Sequence, residues 1–212
     1  LVEQLLQERE DPQCDVFWNN EVLGTIHLQS NGVLEPYQSP NSAPIPEHYK
    51  DAKGHWTGFG ARLRVYIVNP RVLEADHDVI TNHLTNEDLS DVTIAKPLYG
   101  TTRTHYTALW KLLGPADTKA WHQSLRDRKA IEVNGNAMTK AMVANGVCAL
   151  GFTDTDDYFI AKRQQATVSM TPVRLPNNQV LCIPNTVALI RNSKFPVKAR
   201  QLIDYILSPE TE

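Results

Sequence analysis

The strongest constraint on the fold is an acidic segment that directly follows an apolar run. Val147–Leu150 is apolar, and the next eight residues, GFTDTDDY, bring three carboxylates and a phenol within five positions. A short buried strand that ends in polar side chains delivers them to the C-terminal edge of a sheet, where open α/β proteins bind ligands. Adjacent carboxylates repel one another unless a positive group lies among them. The pattern therefore favours a ligand or cation site, with a solvated acidic turn as the alternative.

Strands and helices alternate along the rest of the chain. This alternation is typical of the α/β class with a mostly parallel sheet. Residues 34–46 are expected to form a surface loop and residues 168–176 an extended linker. Strands are predicted at 14–18, 56–69, 92–95, 130–133, 147–150, 180–183 and 186–190, and helices at 1–10, 22–28, 86–89, 103–113, 116–129, 137–144, 159–165 and 197–207.

The composition excludes several classes of protein. The chain has 212 residues, 42% of them hydrophobic and 21% charged, which is typical of a globular protein with a real core. A net charge of −3 gives no electrostatic reason to expect nucleic acid or an anionic membrane as a partner. The three cysteines lie far apart in apolar surroundings, which favours buried free thiols and leaves a disulfide between two of them open.

The sequence Gly100-Thr101-Thr102 heads a predicted helix. Free backbone N–H groups, two hydroxyls and the positive end of the helix dipole converge there, which suits an oxyanion. An ordinary threonine N-cap is an equal alternative. Asn136 is a natural N-cap at another helix start that follows a strand. His105, one turn after Thr101, is expected on the helix surface or in packing rather than at the anion.

Taken in order, six segments resemble the periplasmic substrate-binding proteins of ABC importers, in the subfamily that includes the ferric-iron binders. The resemblance implies a two-lobed type II periplasmic-binding-protein fold with crossover strands, in which residues 1–67 plus 174–212 form one lobe and 68–173 the other. Members normally have further elements before Leu1 and after Glu212, so the chain is expected to be a fragment or a short member. The segments are 14–21, 56–69, 100–102, 134–146, 151–157, and 183–190 followed by 196–212.

The resemblance also implies roles for individual residues. Glu21 matches a carboxylate metal ligand, the Gly-Thr-Thr helix start matches the site of a synergistic anion, and Asn136 matches an amide on the same anion. Ferric binders carry adjacent tyrosines where this chain has two aspartates. The predicted metal ligands are Glu21, Asp156, Asp157 and Tyr158. The predicted ligand- or anion-binding residues are Arg62, Gly100, Thr101, Thr102, Asn136 and Asp154.

The function implied by the resemblance is that of an exported, non-enzymatic receptor, periplasmic or on the cell surface. It is expected to act as a monomer, to capture ferric iron with carbonate or phosphate by hinge closure, and to deliver it to an ABC permease in the membrane. The same site is also compatible with a small zwitterion such as an aminoalkylphosphonate. A metal-dependent phosphohydrolase that holds Mg²⁺ on the aspartates is the alternative from another class. Against it, the histidines show no HxH or HExxH spacing.

Overall fold

The computed structural model describes residues 1–211 and divides them into two compact units. The first comprises Leu1–Ala61 with the segment from Ile183 onward, and the second comprises Arg62–Cys182. The chain passes between the units within one strand and again at the start of another. These bounds differ from the lobe boundaries expected near residues 67 and 173, and the assignment of lobes stays a prediction.

Strands and helices alternate in the structure as the sequence predicts. The strands are β1 (Val16–Asn19), β2 (Leu34–Glu35), β3 (Thr57–Val68), β4 (Val92–Ala95), β5 (Ile131–Val133), β6 (Leu150–Asp154), β7 (Ser169–Pro172) and β8 (Cys182–Ile190). The helices are α1 (Val2–Gln7), α2 (Leu23–Ser30), α3 (His77–His83), α4 (Gly100–Leu113), α5 (Pro115–Asp127), α6 (Asn136–Ala144), α7 (Thr155–Arg163) and α8 (Pro196–Ile206). Two 3₁₀ turns cover Pro40–Ser42 and Glu47–Tyr49.

In the first unit, β1 and β2 each pair antiparallel with β8. Successive side chains of a strand point to opposite faces, and β8 shows this directly. Ala188 and Ile190 belong to the apolar cluster that contains residues of α1 and α2, whereas Val187 and Leu189 pack with residues of α8. The apolar run predicted as a strand is therefore buried on both faces.

In the second unit, the strand order is β7-β3-β6-β4-β5. β4 runs parallel to β5 and β6, but β3 runs antiparallel to β6 and β7. The expectation of a mostly parallel sheet is therefore wrong for the chain as a whole. The expectation holds only for β4, β5 and β6, which are connected by helices. Parallel neighbours need such a crossover connection, because the chain must return to the same end of the sheet before the next strand begins.

The two faces of this sheet bury different sets of side chains. Tyr66 of β3 and Phe152 of β6 lie on one face, in a cluster that also contains residues of α3 and α5. Ile67 lies on the other face, with Val143 of α6 and Ala161 of α7. Arg64, within β3, and Asp154, at the end of β6, lie on the same face as Tyr66 and Phe152.

Several predicted elements are wrong in their position. Residues 86–89 are not helical; instead α3 forms earlier, where the Asp76 side chain accepts hydrogen bonds from the N–H groups of Asp78 and Val79 at 2.9 and 3.1 Å. α7 begins at Thr155 rather than at residue 159, because carboxylates in a first turn interact favourably with the helix dipole. β7 lies within the predicted linker 168–176.

The cysteines and the helix lengths agree with the sequence analysis. Cys14, Cys148 and Cys182 are free thiols, of which Cys148 is buried and the other two are half-buried. Among residues 1–211, every helix is too short or too polar to cross a membrane.

Candidate functional site

A buried ion pair joins the middle of β3 to the C-terminal end of β6. Arg64 and Asp154 are cross-strand partners in the antiparallel register, and the two residues are 0% and 2% exposed. Arg64 Nη1 donates to Asp154 Oδ1 at 2.7 Å. A charge removed from water is tolerated only when it is paired and hydrogen-bonded, so each residue depends on the other.

The second carboxylate oxygen of Asp154 binds the starts of two helices. Asp154 Oδ2 accepts from Asn136 Nδ2 at 2.7 Å and, in a shorter contact, from the Thr101 hydroxyl. Asn136 Nδ2 also lies 2.9 Å from Thr101 Oγ1, and the Thr102 hydroxyl donates to Asn136 Oδ1 at 2.9 Å. The parallel strands β6, β4 and β5 end at the same sheet edge, and the chain segments that follow β4 and β5 supply these residues.

The Gly-Thr-Thr segment is not an ordinary threonine N-cap. α4 begins at Gly100, whose φ of +62° lies in the left-handed region that favours glycine. The N-cap position is occupied by Tyr99, which makes no side-chain capping bond. Both threonine side chains are buried within the first turn. They are therefore directed to Asn136 and Asp154 instead of to the helix backbone.

The acidic segment forms one compact group of carboxylates. Asp154, Asp156 and Asp157 each offer one oxygen, and these oxygens lie within 4.8 Å of one another. The Asp156 side chain is 51% exposed, and its Oδ2 lies 3.7 Å from Arg62 Nη1. Asp157 accepts a hydrogen bond from the Thr153 hydroxyl at 2.6 Å. This geometry is one in which a cation would relieve the repulsion between like charges.

The electrostatics of Asp157 differ from those of an exposed aspartate. Burial raises its pKa, and the neighbouring charges of Asp156 and Asp154 raise it further, while the hydrogen bond from Thr153 acts in the opposite direction. A nearby cation would lower the same pKa, because it favours the ionised carboxylate. Asp157 therefore has more to gain from a bound cation than a solvated carboxylate has.

Tyr158 lies next to the acidic group in sequence but packs with the core. Its ring contacts the apolar cluster that contains Ile67, Val143 and Ala161, and its centroid is 5.3 Å from that of Phe159. Its role as a metal ligand stays a prediction.

Glu21 belongs to the first unit and is 5% exposed. Its carboxylate accepts from the N–H groups of Leu23 and Gly24 at 2.6 and 2.8 Å, and from Asn19 Nδ2 at 3.0 Å. It therefore stabilises the first turn of α2, where backbone N–H groups lack partners within the helix. Its role as a metal ligand likewise stays a prediction.

Arg64 is the residue that the sequence analysis did not assign to the site. It lies two positions from Arg62 on the same face of β3, and the alternation with Tyr66 and Val68 places it at the buried end of that face. A cation within an alternating apolar strand was the available signal, because such a residue needs a buried anion. Arg62 and Arg64 thus face Asp156 and Asp154 respectively.

His105 is buried close to the ion pair. Burial, with a smaller effect from the Arg64 charge, lowers the pKa of His105 to about 3, so its imidazole is neutral at ordinary pH. Of the two expected positions for His105, on the helix surface or in packing, the structure shows the second. The ring borders a cavity of about 370 Å³ that is also lined by Tyr66, Trp121 and Phe152.

Comparisons with known proteins agree with this fold. Residues 2–212 match the family described as bacterial extracellular solute-binding protein. A curated relative, the Fe(3+)-binding periplasmic protein of Serratia marcescens, is 24% identical over 148 residues, which is 69% of this chain and 44% of that protein. The chain therefore aligns with less than half the length of that relative.

Three solved structures illustrate the structural likeness. Iron-bound HitA from Pseudomonas aeruginosa has a TM-score of 0.84 at 21% identity, over 99% of this chain and 69% of that one. The ferric binding protein from Campylobacter jejuni has a TM-score of 0.84 at 17% identity, over 99% and 70%. AfuA from Actinobacillus pleuropneumoniae, with fructose-6-phosphate bound, has a TM-score of 0.79 at 20% identity, over 99% and 68%. The predicted α/β fold of periplasmic binding proteins is confirmed.

Proposed function

Because this chain belongs to the family of bacterial extracellular solute-binding proteins, we propose that it is the receptor of an ABC import system. It captures its ligand outside the cytoplasm, in the periplasm or at the cell surface, and delivers it to a membrane permease. The observation that carries the choice of ligand is the group of three carboxylates within 4.8 Å. We propose that the ligand is a cation, with ferric iron as the first candidate.

Ferric iron fits the chemistry of the side chains. It is a hard cation that prefers anionic oxygen ligands, which Asp156, Asp157 and the phenol of Tyr158 can supply. Glu21 stays a ligand that only the resemblance implies. The Serratia marcescens relative is named for Fe(3+) binding. Two aspartates in place of adjacent tyrosines keep the ligands anionic, but they make Tyr158 the one phenol near the proposed cation in sequence.

The contact between Arg62 and Asp156 does not oppose this proposal strongly. Only Asp156 is exposed, with its side chain at 51% against 14% for Arg62, but the separation of 3.7 Å is long for an ion pair and solvent at Asp156 weakens it. A trivalent cation at the carboxylates can replace that contact at small cost. The Arg64–Asp154 pair, by contrast, is buried and stays in place.

A zwitterion is the second candidate for the same site. It is favoured by the loss of the paired tyrosines, since the carboxylates suit an ammonium group as well as a metal. Its phosphonate or carboxylate would lie at the first turn of α4, near Gly100. The resemblance also implies a carbonate or phosphate beside ferric iron at this place.

The first test is the metal content of the protein, with a ferric citrate titration followed in the visible range. Stoichiometric iron with a charge-transfer band that Tyr158→Phe removes would support a ferric site with a tyrosinate ligand. Asp156→Asn is expected to weaken ferric binding roughly 10- to 100-fold, as expected when a charged partner worth about 1.5–3 kcal/mol is lost. Asp127→Asn, an exposed charge change on α5, is the matched control. Equal affinities for the two variants would refute the assignment.

Arg62→Met separates two roles of that arginine. If Arg62 only competes for Asp156, the variant binds ferric iron more tightly than the wild type. If Arg62 holds an anion beside the cation, the variant binds more weakly, and the loss is greater in phosphate than in phosphate-free buffer. An unchanged affinity in both buffers would remove Arg62 from the site.

Three further properties belong to the proposal. Ligand capture is coupled to closure, as the resemblance implies, so the radius of gyration by small-angle scattering is expected to fall when ferric citrate is added. Light scattering is expected to give a monomer. The protein is expected not to turn over phosphoesters with Mg²⁺, and turnover that Asp156→Asn abolishes would support the phosphohydrolase instead.

A further inference from the structure

We propose that Asp154 takes the place of the synergistic anion in this chain, so that the cation is bound without added carbonate or phosphate. The inference rests on the proposed function, because it concerns what accompanies the cation at that site. It is carried by the hydrogen bonds of Thr101, Thr102 and Asn136, the side chains that the resemblance assigns to an external anion.

These three side chains have no proton left for another anion. A threonine hydroxyl has one donor and a primary amide has two. The Thr101 hydroxyl donates to Asp154 Oδ2, and the Thr102 hydroxyl donates to Asn136 Oδ1. Asn136 Nδ2 directs its donors to Asp154 Oδ2 and Thr101 Oγ1. All four protons are therefore spent within the network.

The charge of Asp154 also lies where an added anion would place it. One of its oxygens is within 4.8 Å of oxygens of Asp156 and Asp157, the proposed cation ligands. Asp154 Oδ1 accepts a hydrogen bond from Arg64 at 2.7 Å. An external phosphate at the same donors would meet a fixed carboxylate of like charge. Asp154 thus supplies both the acceptor atoms and the negative charge of a bound anion.

The burial of the network makes this arrangement permanent rather than exchangeable. Asp154 is 2% exposed and Thr101 and Thr102 are each 3% exposed. A solvent anion that binds these donors would first have to displace a carboxylate that is part of β6. Covalent attachment of Asp154 therefore favours it over a free anion, because its position is already fixed.

The first experiment measures ferric affinity, by competition with a chelator, in bicarbonate-free and phosphate-free buffer and again with each anion added. The wild type is expected to bind equally under all three conditions. Asp154→Ala is expected to bind ferric iron only when phosphate or bicarbonate is present, because it frees the donors. A wild-type protein that requires either anion would overturn the inference.

A second readout does not depend on metal binding. The melting temperature of Asp154→Ala without metal is expected to rise with added formate or phosphate, whereas that of the wild type is not. Asp127→Ala is the control, because Asp127 is exposed on α5 and its removal frees no buried donor. Its melting temperature should therefore respond to added formate or phosphate no more than that of the wild type. If Asp154→Ala does not fold, Asp154→Ser keeps a small side chain at this position for the same titration.

The two readouts fail separately. If no form of the protein binds ferric iron, the proposed ligand is wrong, and the rise in melting temperature of the Asp154 variant still decides whether the donors accept an anion. If that melting temperature is unaffected by formate and phosphate, the donors are not an anion site, and the inference is overturned even where ferric binding is confirmed.

Discussion

Replacing Arg64 by methionine tests the energetic centre of the second unit. Arg64→Met keeps most of the side-chain volume but leaves the Asp154 carboxylate buried without its cation. Breaking a buried ion pair by removing one partner costs about 3–5 kcal/mol. Thr101 and Asn136 still donate to Asp154, and each such bond offsets about 1 kcal/mol. Together they offset about 2 kcal/mol, so we expect a loss of about 1–3 kcal/mol.

A double-mutant cycle separates the ion pair from general packing. Asp154→Asn alone also destabilises the protein, because it leaves the Arg64 guanidinium buried without an anion. Arg64→Met with Asp154→Asn removes both charges together. We expect the double variant to be more stable than the sum of the single losses by about 2 kcal/mol, within the range for residues in contact.

Urea unfolding followed by tryptophan fluorescence measures these free energies. Trp121 reports on the second unit, since its ring packs 6.1 Å from that of Phe152 on the same face as the ion pair. Arg126→Met is the control, because Arg126 pairs with Glu132 at 54% side-chain exposure and the loss is expected to stay below about 1 kcal/mol. Additive losses in the cycle, or equal losses for Arg64→Met and Arg126→Met, would refute the reasoning.

Three further outcomes are expected from single substitutions. Gly151→Ala places a Cβ 2.5 Å from Thr139 Cγ2 and should cost about 1–3 kcal/mol in urea unfolding, whereas Gly135→Ala meets its nearest atom at 3.8 Å and should be tolerated; equal costs would contradict the packing argument. Folding lowers the pKa of His105 from 6.5 to about 3. The contribution of its neutral imidazole to stability is therefore fully present above pH 6.5, and it falls by up to about 1.4 kcal/mol per pH unit between pH 6.5 and about pH 3. His105→Gln should lose this part of the acid dependence, and an unchanged slope would contradict the buried neutral imidazole. Glu21→Ala should lower the free energy of unfolding of the first unit by about 1 kcal/mol, as measured by the fluorescence of Trp56 in urea. No loss would mean that the contacts of Glu21 with α2 are not stabilising.

The sequence predicted the edge at which the site lies, because that edge depends on local patterns. An apolar run before Asp154 predicts a buried strand, and Gly100 and Asn136 mark helices that begin after strands. Parallel strands end at a common edge, so these residues had to come close together. The helix starts and the carboxylates meet there in the structure.

The partners within that edge were not predictable from the sequence. Thr101 and Asn136 are predicted to bind an anion, and in the structure both donate hydrogen bonds to Asp154, a pairing that no local sequence pattern reveals. Which of Arg62 and Arg64 pairs with Asp154 depends on strand register. A shift of two residues keeps each side chain on the same face of the sheet but gives it a different cross-strand partner. The antiparallel orientation of the long strand β3 could not be predicted either, since its residue pattern resembles that of a parallel core strand.

The register of β3 against β6 explains why the two arginines differ in burial and in pairing. Arg64 lies opposite Asp154, and two residues outward on the same face Arg62 lies near Asp156. The inner pair is 2.7 Å apart with side chains 1% and 3% exposed, and the outer pair is 3.7 Å apart with Asp156 half exposed. Desolvation makes the inner pair costly to break, whereas solvent screens the outer pair. Arg64 and Asp154 therefore form a fixed ion pair that holds the helix starts, whereas Arg62 of β3 and Asp156 of α7 form a looser contact that a ligand would disturb more easily. This division makes Asp156, rather than Asp154, the carboxylate that we expect to respond to a cation.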